Sequence, residues 1–228
     1  MMKTKLIMLC ASAALVFAAS SLCAAPEAKA QDELTFTIEF TATPEAPLSS
    51  RVTYKGANTK VKYLRNAYGG VANTFEDNTW EYKVNDDLKV QFSLYGPWEE
   101  GKRVKSSFNF GEKGLYVRYT KEEYPHRPQY ISTPAIEGYK LDKVTIKTTT
   151  HKRRFYLLTS NQVEEPTAYD LLGDYTRYGE TAMEEPFTFT FKNLSTEGAE
   201  TSSAGKSYYL GNWTNGNIQS IEYTYVKE

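Results

Sequence analysis

Apolar residues return at every second position through much of this chain. Leu34, Phe36, Ile38 and Phe40 alternate with Thr35, Thr37 and Glu39, and Leu88, Val90, Phe92 and Leu94 with Lys89, Gln91 and Ser93. The same beat joins Leu115, Val117 and Tyr119, then Phe187, Phe189 and Phe191, then Ile221, Tyr223 and Tyr225. Successive side chains of a strand point to opposite faces, so a period of two writes one apolar and one polar face. Strands of that kind belong to antiparallel sheets that are buried on one side and wet on the other. Shorter candidates at 51–54, 60–64, 80–84, 104–110, 153–159 and 207–210, with a longer one at 139–148, make roughly a dozen strands. No stretch keeps a helical period; a turn or two at 167–172 after Pro166 is the one helical candidate. The expectation is an all-β, antiparallel two-sheet sandwich with Phe36, Ile38, Phe92, Val117, Val144, Phe189 and Tyr223 in its core.

One strand breaks its own pattern. Tyr139 and Leu141 share one phase, Val144 and Ile146 the other. A phase flip at Asp142-Lys143 predicts a β-bulge. The longest stretch without strand signal, 160–185, is bracketed by Glu164-Glu165-Pro166 and Glu184-Glu185-Pro186 and reads as a long loop. The stretch 195–206, rich in Ser, Gly, Thr and Ala, reads as a flexible connection.

The first 30 residues have a different character. Lys3 and Lys5 precede an uncharged apolar run at 6–19, and Ala28-Lys29-Ala30 supplies small residues at the positions a signal peptidase reads. That run is about 14 residues, short of the roughly 20 a membrane-spanning helix needs. The layout predicts a signal peptide at 1–30, a single β-sandwich domain at 31–228 and no transmembrane segment after removal of the leader. Export to the periplasm, the medium or the cell surface follows. Both cysteines, Cys10 and Cys23, lie in the leader, so the domain would rely on its hydrophobic core with no disulfide. A lipid anchor on Cys23 is the alternative, but Leu22 and Ser20 invert the small and aliphatic positions of a bacterial lipoprotein signal. Cleavage would take Lys3, Lys5, Lys29 and Glu27 from a chain of 27 basic and 28 acidic residues. The slightly acidic remainder gives no electrostatic case for a nucleic-acid partner.

Aromatic residues are abundant: 18 Tyr, 11 Phe and 3 Trp. Strand propensity explains part of this. Aromatic rings held on loops also form platforms for sugar rings. Two segments combine rings with stiff turns. Residues 122–130, stiffened by Pro125 and Pro128, carry Tyr124, His126, Arg127 and Tyr130, and 95–101 carry Tyr95 and Trp98 around Gly96-Pro97. Rigid loops lose little entropy on binding. The expected ligand-binding residues are therefore Tyr95, Trp98, Tyr124, His126, Arg127 and Tyr130, with Trp98 stacking and His126 or Arg127 hydrogen-bonding. The competing account has these rings closing the sandwich. Trp213, in Gly211-Asn212-Trp213-Thr214-Asn215-Gly216, is a further turn aromatic, and His151-Lys152-Arg153-Arg154 reads as a solvated hairpin tip.

Catalytic signatures do not emerge. There is no G-x-S-x-G elbow, and Gly205-Lys206-Ser207 has Glu200 where a P-loop needs its leading glycine. Two histidines are too few for a histidine-based zinc site. No carboxylate pair sits in a recognisable glycosidase motif. Tyr124, His126 and Arg127 are the residue types that polysaccharide lyases use. The expectation is no catalytic residue, no cofactor and no metal; a structural calcium at Asp86, Asp87 or Glu76-Asp77-Asn78 is the alternative.

The run Tyr130-Ile131-Ser132-Thr133-Pro134-Ala135-Ile136-Glu137-Gly138-Tyr139-Lys140-Leu141-Asp142-Lys143-Val144-Thr145-Ile146 resembles a segment of exported β-sandwich proteins of Bacteroides-type bacteria. In those proteins a strand ending in Pro-Ala-Ile leads through a Gly turn into Tyr-Lys-Leu-x-x-Val-Thr. The ending Asn217-Ile218-Gln219-Ser220-Ile221-Glu222-Tyr223-Thr224-Tyr225 is similar to their last strand. The resemblance implies a jelly-roll sandwich akin to galactose-binding-like and carbohydrate-binding modules, and it brings no catalytic residues with it. The expected function is an exported, non-catalytic carbohydrate-binding or surface-associated module whose partner is a poly- or oligosaccharide. The alternatives are a polysaccharide lyase or glycoside hydrolase on the same fold, and a structural or adhesive protein-binding module. A groove lined by Trp98, Tyr124 and Tyr130 would favour binding, converging acid–base groups an enzyme, and a flat apolar patch a protein partner.

Overall fold

The alternating stretches become strands, and their apolar phases meet between two sheets. The computed structural model describes residues 32–55, 72–75, 77–96, 98–99, 102–103, 106–117, 129–149, 155–159, 180–182, 186–198, 200–212 and 216–228. In chain order the strands are β1 (Glu33–Glu39), β2 (Val52–Tyr54), β3 (Ala72–Phe75), β4 (Asp77–Lys83), β5 (Lys89–Tyr95), β6 (Trp98–Glu99), β7 (Lys102–Arg103) and β8 (Ser106–Gly111). They continue as β9 (Gly114–Val117), β10 (Tyr130–Ser132), β11 (Tyr139–Thr148), β12 (Phe155–Leu158), β13 (Glu180–Ala182), β14 (Phe187–Phe191), β15 (Tyr209–Asn212) and β16 (Gly216–Lys227). A single 3-10 turn, Leu48–Ser50, is the only helical element among the described residues.

Eight strands form the larger sheet in the order β13-β14-β11-β16-β9-β8-β3, with β1 also paired to β16. Six form the smaller sheet, β12-β15-β10-β5-β4-β2, and β6 and β7 make a separate hairpin. Every pairing among the described residues is antiparallel. The pairs β1–β16, β10–β15 and β11–β14 are nested along the chain and fall in the larger, smaller and larger sheet in turn. That alternation is jelly-roll winding. The all-β two-sheet sandwich read from the alternation is the fold that forms.

The inner faces are stitched by rings reaching across the gap. Phe40, next to β1, meets Phe92 of β5 edge-on at 5.8 Å; Trp80 of β4 meets Phe110 of β8 at 5.1 Å; Phe155 of β12 meets Phe189 of β14 at 5.0 Å. Aromatic pairs in this geometry add to what area burial alone gives. Phe36, Ile38, Phe92, Val117, Val144, Phe189 and Tyr223 are all buried, as their phases predict. The described residues contain no cysteine, so no disulfide supports this core. No helix among them is long and apolar enough to cross a membrane.

The bulge falls where the phase flip put it. The β11–β16 register slips between Leu141 and Lys143, which lets Leu141, Val144 and Ile146 all point inward. Asp142, freed from the ladder, receives the start of the β14–β15 connection. Its carbonyl accepts the Leu194 N–H at 2.9 Å, and its carboxylate accepts the Ser195 hydroxyl. This corrects the reading of 195–206 as flexible. Ser202 is buried, its N–H bonds to the Leu194 carbonyl at 2.7 Å and its hydroxyl donates to Leu141 O. Small polar residues serve here as anchors, each able to satisfy backbone groups in little space.

Other sequence expectations need correction. The stretch 160–185 is not all loop: β13 lies in it and pairs with β14 at the end of the larger sheet. An edge strand this short carries too few residues for alternation to show. The turn at 95–101 includes β6 of a small hairpin, and Tyr130 opens a strand where a recognition loop was expected. The candidates at 60–64 and 167–172 lie outside the described residues.

Two alternate positions on one face of β16 make alkaline stability predictable. Burial pushes the Tyr223 and Tyr225 phenols well above the usual tyrosine range, and the Tyr225 hydroxyl donates to Pro134 O at 2.7 Å. The folded state holds both neutral. Their contribution is complete below the unfolded value of about 10 and is lost as pH climbs above it toward the raised folded values. Tyr223→Phe should therefore move the alkaline unfolding midpoint upward, followed by tyrosinate absorbance. An unmoved midpoint would show that Tyr223 ionises as freely folded as unfolded.

Candidate functional site

The smaller sheet has two faces of opposite character. On β5, Val90, Phe92 and Leu94 point into the core, so Lys89, Gln91, Ser93 and Tyr95 point outward. Register carries that outward face across four strands. Thr79 of β4 stands opposite Ser93, Tyr130 of β10 opposite Tyr95, and Tyr209 of β15 opposite Ser132. A polar row results: the Thr79 and Ser93 hydroxyls lie 3.0 Å apart, and the Ser93 N–H donates to the Ser132 hydroxyl at 2.7 Å.

A groove of about 610 Å³ runs over this face. Its cause is the shortness of β10. That strand pairs with β5 only at Tyr130↔Tyr95 and Ile131↔Leu94, then turns to follow β15, where the Thr133 N–H meets Tyr208 O at 2.7 Å. Beyond that point β5 and the segment 135–137 separate. The floor and rims include Lys89, Gln91, Ser93, Tyr95, Ser132 and Tyr209, with Ala135, Ile136 and Glu137 as the facing wall. A volume of this order suits a small ligand or a short stretch of polymer.

At one end the groove abuts an aromatic nest. The Tyr95 and Tyr209 rings meet edge-on at 5.6 Å, and both pack on Tyr130, Tyr156 and Leu158. Tyr130 and Tyr156 meet at 6.5 Å and nearly at right angles. Gly211 makes this possible. It pairs with Tyr156 on one side and Tyr130 on the other, and the Tyr156 ring lies where a Cβ at 211 would be, 2.2 Å from that position. Toward the other end, Glu81 joins Lys55 at 3.2 Å and Lys89 at 3.3 Å. Hydrogen bonding from Lys55, then from Lys89, holds the Glu81 carboxyl below the usual range.

Of the residues expected at a site, Tyr95 lines the groove, half-buried beside Tyr209. Tyr130 is 3 % exposed and supports the nest from beneath. Trp98 stands opposite Arg103 in the β6–β7 hairpin that follows β5. Tyr124, His126 and Arg127 lie outside the described residues, as do Trp213 and the run 151–154. Asp86 and Asp87 belong to the β4–β5 turn. Asn85 Oδ1 accepts the Asp87 and Leu88 N–H groups at 2.9 and 2.8 Å, and Asp86 pairs with Lys83 at 2.6 Å. Among the described residues no cluster of three or more His, Cys, Asp or Glu side chains is placed to hold a metal ion. The sequence reading passed over Gln91, Ser93, Ser132 and Tyr209. The first two were visible as the polar phase of β5; their partners across the sheet required its strand order.

A scan against protein-family models, a search of curated proteins and a search of solved structures each find no match to the chain.

Proposed function

We propose that this protein is a non-catalytic carbohydrate-binding sandwich module whose ligand lies in the groove on the outer face of the smaller sheet. The observation that carries the reading is the meeting of ring and hydroxyl row. Tyr95 and Tyr209 border a strip of Thr79, Ser93, Ser132 and Gln91. A pyranose offers an apolar C–H face and a rim of hydroxyls. An aromatic edge beside short hydroxyl and amide side chains matches both. Among the described lining residues Glu137 is the one carboxylate, whereas glycoside hydrolysis uses a pair. That favours binding over hydrolysis. The basic, apolar and small-residue layout of 1–30 supports export, which would bring the module to extracellular or periplasmic glycans. The likeness of 130–146 and 217–225 to exported Bacteroides-type sandwich proteins supports the same reading.

Tyr209→Ala is the discriminating variant. On a glycan array it should lose at least about tenfold in affinity for whatever the wild type binds, as expected when a stacking ring is removed. Its melting temperature should fall only slightly, because the ring is half-exposed. Retained affinity would remove Tyr209 from the site, and an array on which the wild type binds no glycan would remove the carbohydrate reading.

A further inference from the structure

The groove has a second property, independent of its rings. The N–H and C=O groups of Lys89 and Gln91 point away from β4. The register shows this: the Lys83 N–H bonds to Arg51 O on β2's side and Thr79 O accepts the Lys55 N–H, so their partners Lys89 and Ser93 direct their main chains the other way. On that other side β10 has already ended, since its pairing stops at Leu94. The Ser93 N–H is taken by the Ser132 hydroxyl. The main chain of Lys89 and Gln91 has no ladder partner among the described strands, and both residues line the groove. Among the described residues, an inner strand of a six-stranded sheet thus presents an open edge to a slot bounded by 135–137.

We propose that this edge receives an extended peptide strand, a binding mode separate from the carbohydrate reading and placed at the Lys89 end of the groove. The commitment to polypeptide follows from hydrogen-bond complementarity. Donor and acceptor pairs repeat along the edge at every second residue, the spacing of another strand's main chain. Side chains set the rest. A residue opposite Val90 would point with it toward the core side of the slot, beside Leu88 and Ile136, and residues opposite Lys89 and Gln91 would point outward beside polar neighbours. The partner is therefore an uncharged segment alternating aliphatic and small polar residues.

The test uses the peptide acetyl-Thr-Val-Thr-Val-Thr-amide and its analogue N-methylated at the three threonines, titrated against the full chain by isotope-edited NMR. The unmethylated peptide should bind and slow hydrogen exchange at the Gln91 amide; the methylated one should bind at least about fivefold more weakly, as loss of a paired donor demands. Gln91→Pro removes the edge donor at a position where proline is tolerated, since its N–H faces no ladder. It should weaken the peptide by a similar factor, while Gln91→Ala should not. Equal binding of the two peptides, wild-type affinity in a folded Gln91→Pro, or no peptide binding at all overturns the proposal. If Gln91→Pro fails to fold, the methylated peptide decides.

Discussion

Phe92→Ala should lower the unfolding free energy by about 3–5 kcal/mol, the range for removing a fully buried phenylalanine ring. Phe92 is 1 % exposed, stands opposite Trp80 in the β4–β5 ladder and meets Phe40 edge-on from the other sheet. Truncation removes its transfer free energy and leaves a cavity between two sheets whose ladders hold them in place. Collapse would require Phe40 to move, and Phe40 also packs on Phe110. Gln91→Ala, one residue away on the solvent face, should change stability by no more than about 0.5 kcal/mol. Denaturant unfolding of the two variants reads the phase of β5 directly. A Phe92→Ala loss under about 1 kcal/mol would mean that the strand's faces are assigned the wrong way round.

The second large effect comes from a glycine. Gly114→Ala should cost about 3 kcal/mol or more, from two sources that act together. Gly114 adopts a φ of +99°, which L side chains resist, and an added Cβ would stand 2.1 Å from the Ile218 carbonyl oxygen. That oxygen is backbone in β16 and cannot swing aside. The close approach has a topological origin. β1 occupies one edge of β16 at Ser220–Val226 and β9 takes the same edge at Gly216–Ile218, while β11 fills the other. Gly114 sits at the junction. Gly138 supplies the control, with a φ of +73° and nothing within 4 Å of an added Cβ. Gly138→Ala should cost only the conformational penalty of roughly 1–2 kcal/mol. Thermal unfolding of both variants separates strain from collision. Equal losses would mean that β9 does not approach β16 as described.

Much of this architecture was legible in the sequence because two-fold periodicity is a local signal. Phe36, Ile38, Val90, Phe92, Phe189 and Tyr223 announce their burial through their neighbours, and Leu141 against Val144 announces the bulge. What escaped was set by partners distant in the chain. β13 carries too few residues to alternate visibly. Ser202 looked like loop filler because its acceptor, Leu141 O, is 61 residues away. The site follows the same division. Tyr95 was singled out as a turn aromatic, yet its role comes from Tyr209, brought beside it only by the β10–β15 and β10–β5 pairings. Tyr130 shows the converse. An aromatic flanked by prolines in the sequence becomes a buried support once β10 lies between β5 and β15.

The proposed sugar site in the groove on the outer face of the smaller sheet can be tested residue by residue. Titration of the isotope-labelled domain with the strongest hit from a glycan array should move the amide resonances of Gln91, Ser93, Tyr95, Ser132 and Tyr209 most. The outward residues of the larger sheet, such as Thr145 and Thr190, should stay in place. Shifts concentrated on the larger sheet, or an array without a hit, would contradict the account.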